Sequence, residues 1–132
     1  MISYSIKEDE TGVAIAVKPL LLGSSLEGDK LKSRSLSELT EKLQLIDVTI
    51  ERLQQYMVMD GGVDEVTLHS GGLSCQAQAV KVGELGYIAV RDWNQSLNRP
   101  EELSFVFLSP QEAQIHTHRM LSLIQDRSNT IN

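Results

Sequence analysis

The sequence predicts a single α+β domain. An antiparallel sheet of about five or six strands is packed by two helices, in the order ββ-α-βββ-β-α. Three observations predict it. Residues 2–17 alternate apolar and polar, as half-buried strands do. Residues 36–57 carry apolar side chains at spacings of three and four. Residues 63–108 hold short apolar runs separated by glycine turns, and a serine-proline pair then opens a second helix.

The first strand points Ile2, Tyr4 and Ile6 one way and Ser3, Ser5 and Lys7 the other. Asp9-Glu10-Thr11-Gly12 is turn chemistry. The returning strand sets Val13, Ile15 and Val17 on one face and Ala14 and Ala16 opposite, and Pro19 ends it. Residues 23–34 read as a polar, flexible connection.

Ser35-Leu36-Ser37-Glu38 has the form of a capping box, in which the serine hydroxyl and the glutamate carboxylate each take an orphan backbone N–H. The helix it opens runs without Gly or Pro to about Met59, where Gly61-Gly62 stops it. Leu36, Leu39, Leu43, Ile46, Ile50, Leu53 and Met57 form an unbroken heptad seam. Leu45, Val48 and Tyr56 lie off it. One sheet buries one stripe, so these extra positions either widen the buried face or meet a second copy. The expectation is a homodimer formed through Leu45, Val48, Arg52 and Tyr56.

Val63–His69, Leu73–Val82 and Tyr87–Trp93 then read as a three-stranded meander. Asn94–Glu102 reads as a loop around Pro100. Leu103–Leu108 is apolar on both sides, which suggests a central strand. Ser109 is placed as N-cap, Pro110 as first helical residue and Glu112 as the acidic partner of a helix that ends near Asp126. The domain is expected to span 1–126, with 127–132 a flexible tail.

The net charge of −6 argues against nucleic acid, since affinity for a phosphate backbone comes from lysines and arginines and the chain has no basic run. Lys30, Lys32 and Arg34 form only a short basic cluster in the loop. One cysteine makes no internal disulfide, and no apolar signal core or membrane-length stretch is present. A cytoplasmic location with no membrane association is expected.

The residues that carry chemistry do not assemble into a catalytic set. If Gly71-Gly72 is the turn, His69 pairs with Ser74 and Leu68 with Cys75, so Cys75 and His69 fall on opposite faces and cannot act as thiolate and base. His116 and His118 lie two apart on a helix, about 200° around its axis, so one metal cannot take both. The glycines lack phosphate-loop spacing. No carboxylate pair among Asp64, Glu65, Asp92, Glu101 and Glu102 stands out. Neither metal nor cofactor is expected, and the chain is read as leaning away from enzymes.

What remains is a surface. With Glu84-Leu85 at the tip of the next hairpin, Val82 faces Tyr87, Val80 faces Ala89, Gln78 faces Arg91 and Gln76 faces Trp93. One sheet face then collects Thr67, His69, Gln76, Gln78, Tyr87, Arg91 and Trp93. Trp, Tyr and Arg are the residue types enriched at binding hot spots. Two functions fit. The first is a non-catalytic protein-interaction module (an adaptor, inhibitor or small chaperone) acting as a homodimer on a protein partner. The second is a binder of, or enzyme on, a small anionic ligand. In that reading Arg91 holds the anion, Trp93 and Tyr87 stack, and Gln76, Gln78 and His69 donate or accept. The alternative fate of the face is that the 94–102 loop folds back over it.

Overall fold

A computed structural model describes residues 2–19, 30–58, 64–82, 85–94 and 99–130. The fold is α+β, with two antiparallel sheets and two helices. Strands β1 (Ile2–Asp9), β2 (Gly12–Pro19) and β3 (Lys30–Ser33) form the first sheet. Helix α1 (Leu36–Met57) follows. Strands β4 (Glu65–Ser70), β5 (Leu73–Val82), β6 (Leu85–Asn94) and β7 (Arg99–Phe107) form the second sheet in that order, and helix α2 (Pro110–Thr130) closes the chain.

This corrects the single sheet of five or six strands. The segment read as a flexible connection contains β3, whose Leu31 pairs with Ile15 of β2 and is fully buried. Two apolar-facing positions in a lysine-rich stretch, Leu31 and Ser33, are too few for alternation to register. The order is therefore βββ-α-ββββ-α. The last strand, expected at the centre of a sheet, is an edge. β7 pairs with β6 and only approaches β3 from outside its ladder. Its apolar character has another cause. Phe105 and Phe107 are buried in the core, Phe107 beside His116 of α2, while Val106 is half-buried on the opposite face.

Both sheets turn an apolar face to one shared core. Val13, Ile15, Val17 and Leu31 come from the first. Val66, Cys75, Ala77, Ile88, Val90, Phe105 and Phe107 come from the second. Helix α1 packs against β2, β3, β4 and β5 and along α2. Its seam residues Leu39, Leu43, Ile46, Ile50 and Leu53 are all buried, and Leu45 and Thr49 are buried with them. Ala113, Met120 and Ile124 of α2 complete the core.

The helix starts are local chemistry. At α1, the Ser35 hydroxyl accepts from the Glu38 N–H at 3.1 Å, as a capping serine does. The reciprocal half of the box is not made as expected. The Glu38 carboxylate accepts instead from the Ser33 hydroxyl at 2.9 Å, from the Arg34 N–H, and from the Arg34 guanidinium at 3.0 and 3.1 Å. A charged donor fork one residue before the cap is the stronger partner. Glu38 thus ties the end of β3 to the start of α1. At α2, the Ser109 hydroxyl accepts from the Glu112 N–H at 3.1 Å, with Pro110 as the first helical residue. The helix runs past Asp126 to Thr130, and Arg127 Nε donates to Glu8 of β1 at 2.8 Å.

One turn is sterically determined. Gly12 opens β2 at φ +142°, and a Cβ built there would lie 2.2 Å from the Ser33 carbonyl oxygen. Only glycine lets the β1–β2 turn close against the end of β3. Asp9 fixes the same turn, its Oδ1 accepting from both the N–H and the hydroxyl of Thr11.

Candidate functional site

The second sheet has two unlike faces. Pairing of β4 with β5 follows the expected register, Leu68 with Cys75, Val66 with Ala77 and His69 with Ser74. Pairing of β5 with β6 differs. Val82 pairs with Leu85, Val80 with Tyr87, Gln78 with Ala89 and Gln76 with Arg91. The ladder begins one residue closer to Val82 than a Glu84-Leu85 tip allows, so opposite residues shift by two. A shift of two preserves the face of every side chain, because the pleat has a period of two. The core face is unchanged, and Gln76 faces Arg91 rather than Trp93.

Both helices lie on that core face. α1 covers β4 and β5, and the His116 ring of α2 stacks on Phe107 at 5.9 Å between centroids. The other face carries Glu65, Thr67, His69, Ser74, Gln76, Gln78, Tyr87 and Arg91, together with the apolar Val80, Ala89 and Val106. Gln76 sits between Thr67 and Arg91, is 6% exposed, and donates through Nε2 to Glu65 Oε1 at 2.5 Å. His69 Nδ1 meets the Ser74 hydroxyl at 2.5 Å. Arg91 Nη1 donates to Gln78 Oε1 at 3.5 Å, the outer limit of a hydrogen bond. A guanidinium has five N–H donors, and among the described residues Gln78 is the acceptor found for this one. Arg91, opposite Gln76, and Tyr87, opposite Val80, are both half-buried on this face.

Trp93 belongs to β6 and pairs with Pro100, after irregularities in the β6–β7 ladder at Arg91; its side chain lies outside the described residues. The 94–102 segment is shorter as a loop than expected. Arg99 to Phe107 is strand, with Asn94 paired to Arg99, and residues 95–98 lie outside the described residues.

Cys75 is buried on the core face, away from His69. The pair that does form is Ser74 with His69, a hydroxyl and an imidazole in contact across the ladder. The register already set these two opposite one another. Burial argues against a hydrolytic role, since Ser74 is buried and a nucleophile must reach a substrate carbonyl. The histidines of α2 part as helical geometry requires. His116 is buried, and His118 is exposed with Nε2 2.9 Å from Asp47 of α1. Burial, then the Arg119 charge, hold the His116 pKa below its ordinary value against the opposing charge of Glu112. Among the described residues no group of three or more His, Cys, Asp or Glu is placed to hold a metal.

The residues expected at a dimer interface are divided. Leu45 is buried in the chain's own core and Tyr56 packs against that core. Val48 and Arg52 are exposed on α1. Exposed apolar side chains also occur on α2, at Ile115 and Leu123. No helix among the described residues is long and apolar enough to cross a membrane. Comparison of the chain with protein-family models, with curated proteins and with solved structures finds no match.

Proposed function

We propose that this protein is a non-catalytic interaction module that works as a homodimer and presents the outer face of β4–β7 to a protein partner. The observation that carries the reading is the organisation around Gln76. A polar side chain 6% exposed on a face that neither helix covers is held by Glu65 and flanked by Arg91. A side chain fixed in this way loses little freedom on binding, and the arginine beside it is of a type favoured at hot spots. The dimer would form at Val48 and Arg52, the exposed pair of the four α1 residues.

A small-anion reading of the same face needs a concavity around Arg91.

Differential affinity capture from the native lysate tests the reading. The wild-type chain and a Val48→Lys variant should retain the same stoichiometric partner, and a Tyr87→Ala/Arg91→Glu variant should lose it. Equal capture by all three would overturn the choice of face. Native mass spectrometry separately reads the dimer as twice the 14.7 kDa chain mass.

A further inference from the structure

The register of the first sheet gathers lysine positions on its outer side. Its register places Ser3, Ser5, Lys7 and Asp9 on β1, beside Lys18, Ala16, Ala14 and Gly12 on β2, with Lys30 and Lys32 on β3 next to Ala16 and Ala14. Four of the chain's twelve basic residues therefore occupy one alternating set of positions against a single carboxylate, in a chain of net charge −6. The lysines are scattered through the sequence from 7 to 32, and pairing of three strands collects them.

The same face is concave. A depression of about 380 Å³ is lined by Ser5, Lys7, Asp9, Ala14, Ala16 and Lys32, among others. Its floor is two alanine methyls, small enough to leave room for a ligand above the sheet. Lys7 and Lys32 pair with Ala14 from its two sides, so their Cα atoms stand about 10 Å apart and long side chains can converge over that methyl. One end is shut by the Gly12 turn folded against Ser33. Asp9 sits at that end, and hydrogen bonds from the Thr11 hydroxyl and N–H outweigh burial to hold its pKa below the ordinary value. Its fixed negative charge turns an anion away from the turn and toward the rung of Lys7, Ala14 and Lys32.

We infer that this depression is a binding site for a small organic anion carrying two or more negative charges, gripped between Lys7 and Lys32 over Ala14. Ammonium groups bind such anions as point charges, and phosphate and carboxylate groups satisfy them alike. The site lies on the other sheet from the proposed protein-binding face and stands independently of it.

Calorimetric titration of the full chain at low ionic strength tests the site, with inorganic pyrophosphate as the phosphate probe and citrate as the carboxylate probe. At least one should bind with a Kd below about 1 mM. Lys7→Gln and Lys32→Gln should each weaken it by about tenfold. Ala14→Leu fills the floor without altering charge and should abolish binding, while Arg91→Glu on the other sheet should leave it unchanged. Thermal unfolding close to wild type in each variant assigns the losses to the site. Failure of both probes to bind the wild type would overturn the inference. Binding that survives Ala14→Leu would also overturn it, leaving only diffuse attraction to exposed lysines.

Discussion

Tyr4 of the first strand hydrogen-bonds Nδ1 of His116 on the last helix, across 112 positions of the chain. The His116 ring also stacks on Phe107, so a single buried imidazole joins β1, β7 and α2. Tyr4→Phe keeps the ring and removes the hydroxyl, leaving a buried nitrogen without that partner. The expected cost is about 1–3 kcal/mol. Thermal denaturation should show it as a fall in Tm of roughly 3–5 °C per kcal/mol for a chain of this size.

The same imidazole sets a pH dependence. Its folded pKa lies below the ordinary histidine value, so the unfolded chain binds this proton more readily than the folded one. The contribution to stability is full above the unfolded pKa and declines as pH falls through it toward the folded pKa. Urea unfolding at pH 7.5 and 5.5 should show lower stability at 5.5, and His116→Gln should reduce that difference. A second acid-side loss is expected from Glu38. Desolvation raises its pKa, but hydrogen bonds from Ser33 and Arg34 and the Arg34 charge together hold it below its ordinary value. The link from β3 to α1 is therefore kept above the carboxylate range and lost as pH falls through the lowered value.

Gly12→Ala should destabilise the first sheet. The φ of +142° suits only glycine, and the new methyl would meet the Ser33 carbonyl. Strain of this kind costs about 1–3 kcal/mol, read as a fall in the urea midpoint with an unchanged slope.

Leu45 and Val48 separate the chain's own core from the proposed dimer surface. Leu45→Ala should cost about 2–5 kcal/mol at any protein concentration, because the side chain is 8% exposed in one chain. Val48→Lys, at a position 46% exposed, should leave the fold in place and convert the dimer to monomer in native mass spectrometry.

Much of this was legible in the sequence because it rests on short-range rules. Alternation found β1 and β2, serine caps found both helix starts, and Gly71-Gly72 set the β4–β5 register that places Cys75 in the core and His69 outside. What was not legible depends on partners distant in the chain. β3 is four residues long and is a strand because β2 supplies its ladder. Leu45 and Tyr56 lie off the heptad seam yet pack in this chain's own core, because a second sheet and α2 meet the same helix, which nothing local shows. The lysine-lined depression was missed for the same reason. Its residues meet only when β1, β2 and β3 pair, and the composition of the whole chain is acidic.

The β4–β7 face is tested most directly by capturing partners from native lysate with three chains in parallel: wild type, Val48→Lys and Tyr87→Ala/Arg91→Glu. A stoichiometric partner should be held by the first two and lost by the third. Retention by the third, or loss by Val48→Lys alone, would contradict it and move the binding surface to the helices.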